Sequence, residues 1–443
     1  MNTPKKPIFS FISITILLLL VIVPVEFAKA DAPQIEWQKT YGPYDGYLIT
    51  QTSDGGYVIV GEQAIYQPGG LHTTGGWINK TALLIKTDKN GNLEWEKAYI
   101  GLTFERGGAT GPVIQTSDNG FALFGFQKNN LLLVKTDSKG NVQWNVSVEL
   151  FGYTLVYTGI QTSDGNYLLA GANVPEDGSN SHGWVLKLDS VGNVLWNQTF
   201  GVTIPSSTIY VAANAVAQAP DGNYLVAGNW RNDCWFAKLD TNGNLQWNRT
   251  YDFKYNNEEF NYHINSIAQS PDGGYVLAGG NGDRAFLVKT DAEGIMEWNQ
   301  PYGDNTALSS VVESVDGGGY FGVGGFSFPS EDGAWFANFS LTGNLLWNQS
   351  YELEGITTSG DVARSVISTS DGGYAATGAL NSTIWLIKFS PETATTPENP
   401  PDFLNSVFFP IIAGVTAVII IAAVVLVWHR RSGKFQKMNN NGV

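Results

Sequence analysis

Cysteine is almost missing: Cys234 is the only one in 443 residues. That excludes an internal disulfide framework, a cysteine-based zinc site and a vicinal cysteine pair. Charge is scarce too, at 15% of residues, and lopsided, with 25 Lys and Arg against 40 Asp and Glu. A nucleic-acid binder needs clustered basic residues to displace counterions, so that class is excluded. Of the four histidines, His72, His182 and His263 precede the C-terminal segment and share no ligand spacing. No His-Glu-x-x-His, Gly-x-Ser-x-Gly, phosphate-loop or Cys–His pattern occurs. The sequence therefore singles out no catalytic residue and no metal ligand set. Loop carboxylates such as Glu105, Glu258, Glu259, Asp283 and Asp361 leave paired-carboxylate chemistry on a polysaccharide as an alternative, although no spacing marks a pair.

Abundance lies elsewhere, in 51 glycines, 14 tryptophans and an aromatic content of 13%. Many short strands joined by tight turns have this composition, whereas bundles and coiled coils do not. The two ends differ from the middle. Residues 1–30 read as a signal peptide, with Lys5 and Lys6, an apolar run from Phe9 to Val25 and a small-residue site at Ala28-Lys29-Ala30. Val407 to Trp428 is a 22-residue stretch without charge, long enough to cross a hydrocarbon core of ~30 Å as a helix. The basic tail 429–443 follows it, and basic flanks stay cytoplasmic. Residues 391–406, with Pro391, Pro397, Pro400 and Pro401, read as a semi-extended stalk. The expectation is a single-pass type I cell-membrane protein with an extracellular domain over residues 31–390. Seven of the 25 basic and one of the 40 acidic residues lie outside 31–406, which leaves 18 against 39 and a net charge of −21 there.

The middle is repetitive. A turn Asp recurs at Asp54, Asp118, Asp164, Asp221, Asp272, Asp316 and Asp371, each followed within four residues by Tyr or Phe, as in Asp54 and Tyr57. The spacings of 64, 46, 57, 51, 44 and 55 define a unit of about 50 residues with variable loops. A second signature, L-[I/V]-K-[T/L]-D-x-x-G-N-x-x-W, places Trp95, Trp144, Trp196, Trp247, Trp298 and Trp347 one per unit. The seventh unit stops at Ser390 without its Trp strand, and the missing copy stands at the other end: Glu36-Trp37-Gln38-Lys39-Thr40-Tyr41 matches Leu346-Trp347-Asn348-Gln349-Ser350-Tyr351. An open solenoid caps its ends and does not split a unit between termini, whereas a closed ring gains by the split because no sheet edge is left bare. The expectation is an all-β, seven-bladed β-propeller whose last blade is completed by Ile35–Tyr41, plus one C-terminal transmembrane helix.

These T-x-D-G-G-Y…W-L-x-K-x-D-x-x-G-N-x-x-W units resemble those of prokaryotic, archaeal-type secreted and surface β-propellers. They are also similar to the tryptophan-docking repeats of PQQ-like quinoprotein propellers. The resemblance covers about residues 34–390 and implies the fold, not an activity. Quinoprotein redox chemistry is disfavoured by seven units in place of eight and by the lone Cys234.

The seven Trp read as rivets between blades. Gln51, Gln115, Gln161, Gln218 and Gln269, each three residues before a turn Asp, read as inter-blade hydrogen-bonding groups, with Glu313 and Ser368 in the other two units. The D-x-x-G-N turns read as self-capped turns rather than as calcium loops, although calcium there stays open; otherwise no cofactor is expected. The Lys two residues before that Asp (Lys86, Lys135, Lys187, Lys238 and Lys289) is expected to pair with it. Sequons stand at Asn79, Asn145, Asn197, Asn248, Asn348 and Asn381, and also at Asn338, which falls inside a strand. Four of them directly follow a docking Trp and should face outward.

A partner should meet the face built by the loops between units and between second and third strands. The candidate contact residues are Trp77, Arg106, Tyr157, Tyr210 and Trp230, together with Arg231, Tyr262, His263, Arg284 and Arg364. Aromatics with Arg on an acidic background suit a protein, peptide or glycan. The reading is a binding or adhesion module of the cell envelope, more a binder than an enzyme.

Overall fold

The computed structural model describes residues 32–67, 76–99, 102, 112–127, 130–149, 153–174, 181–201, 210–255, 258–259, 262–281, 283–327, 332–351, 362–380 and 383–391. The chain forms two compact units, 1–392 and 393–443, and every described residue lies in the first. The leader, most of the stalk, the apolar run 407–428 and the basic tail fall outside the described residues, among which there is no helix long and apolar enough to cross a membrane.

Each repeat folds as an up-and-down antiparallel sheet. In the fourth unit the strands are Val211–Gln218, Tyr224–Trp230, Asp233–Leu239 and Leu245–Tyr251. In the fifth unit they are His263–Gln269, Tyr275–Gly280, Ala285–Thr290 and Met296–Tyr302, where the sequence has short runs at 265–270, 275–279, 285–291 and 295–302 bounded by Gly, Asp and Asn turns. Middle strands such as Ala285–Thr290 are buried along their whole length, which explains their continuous apolar runs. Outermost strands alternate instead: in Leu245–Tyr251 only every second residue turns inward, beginning with Trp247.

There are five four-stranded sheets and one eight-stranded sheet among the described residues, besides a two-stranded hairpin. The eight strands are those of the fifth and sixth units, and their halves meet through a single residue pair, Gly280 with Ala307. The first strand of each unit packs against the first strand of the next, and that of the seventh packs against that of the first, so the sheets close into a β-propeller. Closure uses the split unit as expected. Ile35–Tyr41 pairs antiparallel with Thr383–Phe389, with Lys39 opposite Leu386 and Tyr41 opposite Ile384.

Tryptophan docking has a specific receptor. A Cβ added to Gly91 would stand 2.6 Å from the ring of Trp37, and one added to Gly294 would stand 2.6 Å from that of Trp247. Gly140, Gly243 and Gly343 receive Trp95, Trp196 and Trp298 in the same way. The glycine of the D-x-x-G-N turn thus serves twice, taking φ near +73° at Gly294 and leaving room for the ring of the preceding blade. Four residues after the Trp, a tyrosine hydroxyl donates to that glycine's carbonyl, as in Tyr251 to Gly294 at 2.7 Å and Tyr302 to Gly343 at 2.6 Å. In the third unit Phe200 replaces the tyrosine, and Trp196 Nε1 donates instead to Thr241 O at 3.1 Å. The second unit departs further: Gly192 meets Val146 rather than Trp144. Replacing Tyr251 by Phe leaves the Gly294 carbonyl without that donor, and urea unfolding should show a loss of about 1 kcal/mol. An unchanged midpoint would mean that the ring alone makes the joint.

Glutamines form a second joint. Gln115 Oε1 accepts from Ser53 N at 2.9 Å, Gln218 Oε1 from Ser163 N at 2.8 Å, and Gln51 Oε1 from Ser370 N at 2.8 Å. Each contact joins a blade to the turn of the blade before it.

The lysine expectation needs correction. Lys135 Nζ lies 2.7 Å from Asp118 and Lys187 Nζ 2.6 Å from Asp164, so the partner is the turn Asp after the first strand, not the Asp two residues on. The register explains it. Lys135 sits opposite Ala122, beside the first turn, where its ammonium also donates to Thr136 O. The second Asp is engaged by its own turn: Asp88 accepts from the amides of Asn90 and Asn92 and from the Asn92 side chain, all at 2.8–2.9 Å. Cys234 is fully buried in the core, where burial pushes its thiol up, away from reactivity.

Candidate binding face

Six first strands carry a bulge at one repeated position, seven residues before the turn Asp. The extra residues are Tyr47, Tyr157, Asn214, Asn265, Ser309 and Arg364. Opposite the bulge stands a glycine of the second strand, such as Gly171 or Gly228. A Cβ there would lie 1.8 Å from Leu155 O or 2.0 Å from Ala212 O, so the close approach requires glycine. The scaffold is therefore uniform, and the side chain on each bulge is free to differ. Asn214 Nδ2 donates across the blade boundary to Ile264 O at 3.0 Å, and Asn265 Nδ2 does the same to Leu308 O at 2.9 Å.

Between the third, fourth and fifth units, these bulges border a cavity of about 460 Å³. Tyr157, Asn214 and Asn265 come from the bulges, Tyr210 and His263 from where the first strands begin, and Asn229, Gly280 and Asn281 from where the second strands end. That is the end of the blades away from the Asp turns, the face expected from the loop pattern. The Tyr157 and Tyr210 hydroxyls are 2.8 Å apart. Burial lowers the pKa of His263, so at neutral pH the imidazole is uncharged. Among the described residues, no carboxylate, Lys or Arg lines the cavity. Among the described residues no group of three or more His, Cys, Asp or Glu is placed to hold a metal ion.

The amide oxygens are the unusual feature. Asn229 is fully buried, its Nδ2 donates to Tyr210 O at 3.3 Å, and its Oδ1 has no partner among the described residues. A buried acceptor left unpaired costs about 1–3 kcal/mol, and a folded chain seldom keeps one without reason.

Of the candidate contact residues, Tyr157, Tyr210 and His263 come together here. Trp230 stands nearby against Trp235, with ring centroids 6.2 Å apart. Arg231 occupies a turn at φ 60° and donates its amide to Tyr210 O. Tyr262 is a core residue, edge-on to Phe286. Arg284 pairs with Asp304 at 2.6 Å, and Arg364 lies over the Tyr47 ring at 4.9 Å, in another sector of the ring. Arg106 lies outside the described residues, as does the side chain of Trp77. The four asparagines of the cavity escaped the sequence reading. Their signal was present: Asn214 and Asn265 stand at one repeat position, as do Asn229 and Gly280, each five residues after the turn aromatic.

Among solved structures, the Dos1 propeller is similar to this chain, with a TM-score of 0.51 at 10% identity over 81% of this chain and 95% of that one. The fold is a β-propeller. Saccharomyces cerevisiae Sqt1 matches at a TM-score of 0.46 and 10% identity, covering 82% of this chain and 100% of its own. A Bacteroides caccae protein of unknown function matches at 0.38 and 14%, covering 56% and 78%. No protein-family model and no curated protein matches the sequence.

Proposed function

We propose that the chain is a membrane-anchored, extracellular, seven-bladed β-propeller that binds a partner through the face bearing the Tyr157–Tyr210 cavity. Counting seven blades treats the eight-stranded sheet as two blades touching at the Gly280–Ala307 pair, in keeping with seven sequence units. Anchoring and orientation rest on the sequence: the leader-like residues 1–30, the uncharged run 407–428 and the basic tail. Asn145, Asn197, Asn248 and Asn348 are exposed on outermost strands, open to glycosylation, whereas Asn338 is buried; Asn381 and the side chain of Asn79 lie outside the described residues.

The observation that carries the binding reading is the cavity itself. Its volume lies within the ~300–1,000 Å³ of small-ligand sites. Its lining is polar, uncharged and drawn from three successive units. Among the described lining residues, His263 is the group suited to acid–base chemistry near neutral pH, and no carboxylate accompanies it. The test is to display the full chain in lipid nanodiscs over glycan and peptide arrays, beside a Tyr157→Ala, Tyr210→Ala variant. At least one probe class should bind, at least tenfold more weakly to the variant, while Asn197→Gln on the rim binds as the parent does. Equal binding by all three proteins would remove the cavity from the function.

A further inference from the structure

We infer that the cavity between the third, fourth and fifth units takes a neutral, hydroxyl-rich ligand of the sugar class, with the Asn229 carbonyl as its innermost acceptor. The inference rests on the binding reading above and narrows it.

Hydrogen-bonding capacity decides the class. Asn214 and Asn265 each give one N–H to a backbone carbonyl of the next blade, and among the described residues no partner is found for their Oδ1 atoms or for the buried Oδ1 of Asn229. Three amide acceptors therefore border one cavity. Asn281 supplies the opposite sense: its Oδ1 is taken by the amides of Asp283 and Arg284 at 3.0 and 2.9 Å, so Nδ2 remains as a donor. The neutral imidazole of His263 adds an N–H, and the Tyr157–Tyr210 hydroxyl pair lines the same cavity.

A hydroxyl group both gives and accepts, and a ring bearing several of them matches such a mixed set. An ammonium or guanidinium only donates, and it would have to shed water against neutral oxygens with no carboxylate in the lining, an expensive exchange. An anion would find no Lys or Arg there. The two phenol rings add flat apolar surface of the kind that the C–H face of a sugar ring covers.

Asn229 makes the inference testable without confusing binding with folding. Val is closer to Asn in volume, suits a strand and removes the orphaned acceptor, so Asn229→Val should keep or raise the urea midpoint. It should also weaken the ligand about tenfold, the effect of one lost hydrogen bond. An asparagine kept for structure alone would show the reverse. Asn265→Ala, exposed and on another blade, gives a second variant; it also gives up the bond to Leu308 O, so its urea midpoint is read beside its binding. The assay is saturation-transfer NMR on the full chain in nanodiscs with glucose, galactose, mannose and N-acetylglucosamine, beside the tripeptide Gly-Lys-Gly. Expected are contacts to at least one sugar, weakened about tenfold by each variant, and none to the peptide. Sugar binding indifferent to both variants overturns the inference. Binding of the peptide alone overturns it too but leaves the binding reading standing, whereas silence of both sugars and peptides, with silent arrays, removes that reading as well.

Discussion

A chain lacking residues 32–41 should fail to close, and a synthetic peptide of those residues added in trans should restore it. The strand Ile35–Tyr41 covers Thr383–Phe389, and without it that strand's outer N–H and C=O groups become an open edge. Two further joints go with it: the Trp37 ring over Gly91, edge-on to Tyr57 at 5.8 Å, and the Tyr41 hydroxyl, which donates to Gly91 O at 2.7 Å. What remains at the seam includes the Gln51–Ser370 contact, Arg364 over the Tyr47 ring, and the packing of Asp45–Gln51 on Val362–Ser368 and Tyr374–Leu380. The truncated chain should therefore unfold in a broad, non-cooperative transition and associate through the bare edge, as read by denaturation and light scattering. A milder version is Trp37→Ala. Full burial would place the loss at ~3–5 kcal/mol, and since Trp37 is only half-buried, about 2–3 kcal/mol is expected. Trp144→Ala should lose less, because the glycine it would dock on is met by Val146. A truncated chain that stays monomeric and unfolds as sharply as the parent would show that the ring does not depend on this strand.

How legible the molecule is depends on what repeats. The split seventh unit, the Trp rivets, the outward Asn beside them and the Gln clasps are imposed by packing that recurs from blade to blade, so each leaves a repeated trace in the sequence. The lysine partner is not legible in this way, because closeness in sequence favours the nearer Asp. The antiparallel return of the second strand in fact brings the earlier turn beside the lysine. The cavity was legible only as a face. Asn214 and Asn265 sit on a repeated bulge and Asn229 directly after a repeated glycine, but the residues at those positions are Tyr, Asn, Ser and Arg in one case and Glu, Phe, Ala, Asn and Gly in the other. Function is written in the positions that break the repeat, and a search for periodicity passes over them.

The buried lysines give the second large effect. Lys135 is 7% exposed and its partner Asp118 is 54% exposed, so the charge that needs compensation is the ammonium. Burial works against the Asp118 charge, but the Lys135 ammonium, the Thr116 hydroxyl and the Gly120 amide outweigh it and hold the carboxyl down to about 2. Asp164 is held to about 2 by Lys187, Thr162 and the Asn166 amide, and Asp54 to about 2 by Thr52, Gly56 and Lys86, in both cases against the same opposing burial. A folded-state pKa below the unfolded value of ~3.9 stabilises the folded chain above that pH and ceases to do so as pH falls towards 2. The urea midpoint should therefore be level from neutrality to about pH 5 and then fall steeply, more steeply than any one pair would produce, because the pairs recur around the ring. Asp118→Ala strands a buried ammonium. Losing one partner of a fully buried pair costs ~3–5 kcal/mol, and the solvent reaching Asp118 lowers this to about 2 kcal/mol at pH 7. Lys135→Met removes the charge together with its need for a partner and should cost less than Asp118→Ala. The chain already contains such a blade: in the sixth unit Asn338 stands where the lysine would be, fully paired between strands and 3.3 Å from the Ser314 hydroxyl. Should Lys135→Met prove the more damaging of the two, the lysine would be acting as a hub for the Thr136 carbonyl and Gln143, not as the charge that Asp118 must neutralise.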